Sequence, residues 1–148
     1  MTMTDTAKKA NVGVEHGRWG EDVAAWFLHR KGYVIIDRNV RPCRRDGRLE
    51  IDIIAYDRKL DLVVFVEVKQ HSARNARQRL LRSVDSRKMA LLRRACRTWL
   101  MANKWGGSYR FDVVEVYGAP GSSRDVEVDH VERVRLFGDP GRYVNWED

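Results

Sequence analysis

The sequence predicts an α/β domain in which a mixed β-sheet is flanked by α-helices. Three observations lead there. Leu49–Ala55 and Val63–Lys69 are two β-branched runs, each interrupted by charges at every second position and joined by a short polar link. Stretches of helical period stand on either side, from about Glu15 to Lys31 and from about Val84 to Lys104. A further alternating run, Tyr109–Tyr117, follows the second helix.

The first helix carries two stripes on opposite sides and is stopped by Gly32. Gly17, Glu21, Ala24 and Leu28 form one, whose small residues allow a close approach to a sheet. Trp19, Val23, Trp26 and Arg30 form the other, which packs within the monomer, on a terminal segment, or on a second copy in a homodimer. Tyr33–Val40 reads as a strand. Arg41–Arg48 is a basic loop broken by Pro42 and Gly47, either a grip for phosphate or a solvated loop.

The link Asp57–Asp61 is short enough for a hairpin. Folded about Lys59-Leu60, the hairpin sets Ile51, Ile53 and Ala55 against Val68, Val66 and Val64, an apolar face. Asp52 then lies opposite Glu67, and Glu50 opposite Lys69. A slip of one residue would turn these charges into the apolar face, so the pattern specifies its own register. His71 is expected on the other face and outside the chemistry, and 72–83 as a loop or short helix that orders on nucleic acid. In the second helix, capped by Ser83 or Asp85, Met89, Leu92, Cys96, Trp99 and Leu100 form the core side. Arg87, Arg94 and Arg97 form a basic ridge opposite, while Lys88 sits between, near the start, within reach of the charged strands. Gly106-Gly107 ends the helix, and 126–136 adds a strand or short helix. One domain over 14–137 is expected, with a disordered start (1–13) and a polar tail (138–148).

The chain has 148 residues and a formal net charge of +7, from 28 Lys+Arg against 21 Asp+Glu. From Gln70 to Trp105 there are ten basic residues and one acid, leaving 18 basic against 20 acidic elsewhere. Most of the ten are arginines, suited to bidentate phosphate contact. Nucleic acid is the partner this implies, ahead of an anionic membrane surface. Cys43 and Cys96 form no CxxC pair, so neither a zinc site nor a disulfide framework is expected. No run reaches membrane-spanning length and the start has no apolar h-region, so a soluble cytoplasmic protein is expected.

Acids and a lysine within such apolar strands are costly unless paired or bound to an ion. Asp52 and Glu67 at ladder distance suit a hard divalent cation that keeps several waters. Lys69 shares the face of Glu67 and would reach an ion's water or a phosphate oxygen. A cross-strand ion pair on a solvated face fits the same spacing.

Asp52 followed by Glu67-Val68-Lys69 resembles the Asp…(Asp/Glu)-x-Lys signature of the restriction-endonuclease-like superfamily. The wider layout resembles the YraN family of bacterial proteins. The matching pieces are Gly17-Arg18-Trp19-Gly20-Glu21, Gly32-Tyr33, Arg38-Asn39, Glu50-Ile51-Asp52, Val64 to Lys69, Arg87-Lys88 and Arg110 to Val114, spanning Glu15 to Phe137. The resemblance implies a restriction-endonuclease-like core and a metal-dependent nuclease acting on DNA, branched or otherwise distorted structures included. Mg2+ or Mn2+ would be held by Asp52, Glu67, the Val68 carbonyl and Glu21. Asp52, Glu67, Lys69, Glu21 and Gln70 would serve catalysis, with Gln70 on the scissile phosphate or the ion's water. Arg44, Arg45, Arg48, Arg87, Lys88, Arg94 and Arg97 would contact nucleic acid. Taken by itself, Glu21 reads as an ordinary first-turn glutamate. The chain departs from the family at Leu49, where a glycine is usual. Two rival readings stand: a non-catalytic nucleic-acid-binding protein that retains the fold, and a scaffold that docks partners on its Trp stripe.

Overall fold

The computed structural model describes residues 12–72, 86–123 and 125–137. Helix α1 (Val12–Arg30) leads into β1 (Val34–Val40), β2 (Ile51–Asp57) and β3 (Leu62–His71). Helix α2 (Ser86–Ala102), β4 (Ser108–Tyr117) and β5 (Glu127–Val131) follow. The five strands form one sheet in the order β1-β2-β3-β4-β5, with β3 and β4 parallel and all other neighbours antiparallel. This mixed sheet with its two helices is an α/β fold consistent with a restriction-endonuclease-like core.

The hairpin register is the expected one. Ile53 pairs with Val66, Ile54 with Phe65 and Ala55 with Val64. The turn is closed locally, because the Asp57 carboxylate accepts bonds from the backbone N–H groups of Lys59 (2.9 Å) and Leu60 (3.2 Å). Asp61 takes a left-handed φ of 52° to complete it. Antiparallel strands can turn this tightly, whereas the parallel step from β3 to β4 needs a crossover, which carries α2.

Alternation along the strands assigns each helix a face. Ile53, Ala55, Val64, Val66, Val114 and Val116 pack with Ala24 and Leu28 of α1. Ile54, Val63, Phe65, Phe111 and Val113 pack with Leu92, Cys96, Trp99 and Leu100 of α2. The small-residue stripe of α1 is thus the one that meets the sheet. The Trp stripe divides: Trp19 and Val23 lie against the same cluster, while Trp26 is 61% exposed with the Arg30 guanidinium 5.1 Å above its ring. Burial holds the Cys96 thiol well above its ordinary pKa, which leaves it an inert apolar filler. Leu49 is fully buried in the α2 cluster and ties the end of the basic loop to the core.

Several boundaries differ from expectation. Helix α1 begins at Val12 rather than near Glu15, and the last strand ends at Val131, beyond which the chain is irregular as far as Phe137. Arg74, Arg77, Arg79, Arg82, the caps Ser83 and Asp85, residues 1–11 and the tail 138–148 lie outside the described residues. No helix among the described residues is long and apolar enough to cross a membrane.

On the α1 side, β4 buries Arg110 and Asp112 among apolar residues. The Arg110 guanidinium donates to both Asp112 oxygens (2.9 and 3.0 Å) and to the Tyr33 hydroxyl (2.7 Å). Asp112 also meets His130 Nε2 at 2.7 Å and accepts from the Arg133 backbone N–H at 3.0 Å. The network ties the start of β1 to β4 and β5. Burial raises the Asp112 pKa, but the bonds from His130 and Arg110 outweigh it and hold the carboxyl below its ordinary value. Removing one partner of such a pair costs roughly 3–5 kcal/mol. Arg110→Met should therefore lower the melting temperature by roughly 10 °C, read by circular dichroism; a shift under a degree or two would show that the network does not hold the sheet.

Candidate functional site

The site lies where β2 and β3 part. Their ladder ends at the Ile53–Val66 pair, and at the next step the strands are joined by a side chain: the Val68 N–H donates to Asp52 Oδ2 at 2.8 Å. Asp52 and Glu67 follow the alternation of Ile54 and Phe65, so both carboxyls face α2. Together with Arg48, Glu50, Lys88, Leu91 and Leu92 they line a cleft of about 320 Å³.

Glu67 is only 6% exposed and carries two lysines on one oxygen. Lys88 Nζ is 2.7 Å from Glu67 Oε1, and Lys69 Nζ is 3.4 Å from the same atom. Burial pushes the Asp52 carboxyl up to about 8, reinforced by the Glu67 charge beside it; the Val68 N–H pulls the other way. Burial lowers the Lys69 ammonium, and contact with Lys88 lowers it further, outweighing Glu67. Burial also disfavours the charge on Lys88, but its bonds to Glu67 and Lys69 prevail and raise it.

Glu21 comes to this cluster from the other layer. Helix α1 makes a close approach at Gly20, where a Cβ would stand 2.7 Å from Gln70 Oε1. That contact sets the next residue, Glu21, near the end of the sheet, bonded to Asn39 and close enough to Asp52 and Glu50 for their charges to act on one another. Burial raises the Glu21 carboxyl, with Asn39 and Arg38 opposing.

The structure brings Asp52, Glu67, Lys69 and the backbone of Val68 together, with Glu21 at electrostatic range. It does not bring in Gln70. Counted from Glu67 and Lys69, strand alternation turns Gln70 to the α1 face, where it packs on Gly20 and donates to the Gly118 carbonyl at 3.5 Å. The same counting corrects His71, which shares the face of Glu67 and Lys69. Its ring stacks on Tyr117 at 5.2 Å, and its Nε2 lies 3.6 Å from the buried Glu115, which accepts the Tyr117 hydroxyl at 2.9 Å. Lys69 pairs with Glu115 in the β3–β4 ladder, so this trio adjoins the site. The even spacing of Glu67, Lys69 and His71 is the signal that places it there. Glu50 does not pair with Lys69, because the ladder has already opened; it meets Arg41 at 3.4 Å.

Among the expected phosphate contacts, Lys88 turns inward while Arg44, Arg45, Arg87, Arg94 and Arg97 are exposed. Arg48 edges the cleft but is held by both Asp46 oxygens (2.9 and 2.8 Å), and these bonds keep Asp46 at about 2. Among the described residues no three His, Cys, Asp or Glu side chains form a ready-made metal cage. The donor set is nonetheless of the kind Mg2+ or Mn2+ takes, two carboxylates with the remaining positions left to water.

Asp52 gains protons on folding, so below the carboxyl's ordinary pKa it adds no cost. As pH rises from there towards 8, stability is lost through it. Asp52→Asn should therefore raise the melting temperature of metal-free protein by several degrees at pH 8 and by much less at pH 5. A gain of equal size at both pH values would mean that ionisation of Asp52 is not what costs stability.

Comparison with known proteins follows the site along most of the chain. The model of the family described as uncharacterised protein family UPF0102 matches residues 20–116, from the Gly20 contact through β4. A UPF0102 protein of Rhodopirellula baltica is 38% identical over 117 residues, covering 78% of this chain and 67% of its own. One from Mycobacterium tuberculosis is 35% identical over 132 residues (87% and 98%), and one from Alkaliphilus oremlandii 41% over 103 residues (68% and 82%). The chain belongs to the UPF0102 family, the YraN family whose pattern its charged strands carry.

Proposed function

We propose that this chain is a metal-dependent nuclease that hydrolyses phosphodiester bonds in DNA, with branched or distorted structures the first substrates to try. The observation that carries the reading is the Asp52–Glu67 pair: two carboxyls lining one cleft, with two lysines on an oxygen of Glu67. Nothing in the packing of the sheet needs such a cluster, and buried like charges are found where chemistry is done.

Asp52 and Glu67 are the residues that would hold Mg2+ or Mn2+, with Glu21 within reach through water. The ion would polarise the phosphate and lower the pKa of a bound water. Lys69 is the candidate base. Burial and Lys88 push its amine towards the neutral form, and Glu67 keeps it in place. Arg48 and Lys88 stand on the walls of the cleft, where a phosphate would enter. Arg87, Arg94 and Arg97 lie exposed along α2 and would follow the backbone of a longer substrate.

A non-catalytic nucleic-acid-binding protein is the second reading. It is favoured by one observation: Lys88 on Glu67 and the Val68 N–H on Asp52 satisfy the carboxyls with no ion present. The two separate on a panel of linear, flapped and four-way DNA and RNA, incubated with and without Mg2+. The nuclease reading requires metal-dependent cleavage of at least one substrate; binding throughout with no cleavage favours the second.

Asp52→Ala and Glu67→Ala should each reduce that cleavage by roughly 100-fold or more, and near-normal rates would place the site elsewhere. Lys69→Ala should slow it by roughly 10² to 10⁴ while metal still binds; parallel loss of metal affinity would make Lys69 only a partner of the acids. Replacing Arg87, Arg94 and Arg97 together with Gln should weaken binding to all sequences. It should also flatten the plot of log affinity against log salt by about 0.9 for each phosphate no longer neutralised. An unchanged slope would remove α2 from the interface.

A further inference from the structure

Lys88 stands where several forces oppose a cation. It is the third residue of α2, at the positive end of the helix dipole. Its ammonium shares Glu67 Oε1 with the Lys69 amine, 3.4 Å from the same atom. Its stem lies on the sheet-facing side of α2, one turn from Leu92, rather than among the exposed Arg87 and Arg94. The 2.7 Å contact with Glu67 offsets these costs.

The charge balance depends on what fills the site. In the absence of an ion, Lys88 Nζ meets the charge of the acid pair at Glu67 Oε1, 2.7 Å away. A divalent ion held by Asp52 and Glu67 would compete with Lys88 for the Glu67 carboxylate. That competition would turn Lys88 away from Glu67, on a flexible four-carbon stem, in the wall of a cleft it shares with Arg48.

We propose that Lys88 is a placeholder: it neutralises Glu67 while no ion is bound, yields the Glu67 carboxylate to the divalent ion, and then pairs with a phosphate of bound nucleic acid in the cleft. This rests on the nuclease-site reading and adds to it that metal and substrate binding are coupled through one side chain. Metal binding frees the cation that the substrate uses, so each ligand strengthens the other.

The test compares the full chain with Lys88→Met, which keeps the stem and removes the charge. Lys88→Gln, which keeps a hydrogen bond to Glu67, serves as the second variant and stands in where the first does not fold. Mn2+ affinity is measured by calorimetry. Duplex DNA affinity is measured across a salt series, once with Ca2+ to hold the ion site without turnover and once with EDTA. Lys88→Met should bind Mn2+ roughly tenfold tighter or more, because a unit charge that competes for the same carboxylate is gone. Lys88→Gln should fall between it and the wild type. In Ca2+ the Met variant should bind DNA more weakly, with a salt slope smaller by about 0.9, and in EDTA it should match the wild type. Unchanged or weaker Mn2+ binding overturns the placeholder, and so does a DNA defect of equal size with and without metal. If neither wild type nor variant binds Mn2+ at millimolar concentration, the metal-site reading itself falls, and the placeholder with it.

Discussion

Two carboxyl groups that would repel one another are held side by side at the parting end of a hairpin, and most of the local structure answers to that. Water would ordinarily screen such a pair, but the α2 layer covers it. The charge must then be met from within, by the Val68 N–H on Asp52 and by two lysines on Glu67, while burial favours the protonated form of Asp52. Each of these is weaker than what a divalent ion offers. The ion-free site is thus satisfied yet replaceable, which suits a site whose protons and ammonium groups can leave.

The rest of the fold places the pair. Antiparallel β2–β3 pairing ends just before Asp52 and Glu67, and their shared face is decided by which apolar residues alternate with them. Parallel addition of β4 sets Glu115 beside Lys69 and requires the crossover that brings Lys88 over the carboxyls. On the opposite layer, Gly20 lets α1 come close enough to hold Glu21 at the same end. Arg110 and Asp112 tie the far end of β4 to β1 and β5, so the two ends of the sheet carry different charged clusters, one saturated with fixed partners and the other facing a cleft.

The hairpin was legible in the sequence because its register is written twice, in the β-branched alternation and in the charges that break it. The two helices and their core faces were legible from helical period. What escaped were consequences of three-dimensional closure. The pairing of Glu50 with Lys69 needs a ladder running to the strand ends, whereas the backbone pairing stops at Ile53 and Val66 and the Asp52–Val68 bond follows it. Gln70 was placed by its nearness in sequence to Lys69, although period two sends it to the other face and brings His71 to this one. The Arg110–Asp112–His130 network was missed although its cue, charges at i and i+2 within an apolar strand, is the one that revealed Asp52 and Glu67. Its partners Tyr33 and His130 come from distant segments that no local pattern links.

The claim on which the functional reading turns is that Asp52 is protonated in the ion-free protein and that a divalent ion replaces that proton. Calorimetric titration of the full chain with Mn2+ at pH 7, repeated in buffers of different ionisation enthalpy, counts the protons released on binding. Release of close to one proton per ion is predicted, because burial keeps Asp52 protonated at that pH. Binding without proton release, or no binding at millimolar Mn2+, would contradict it.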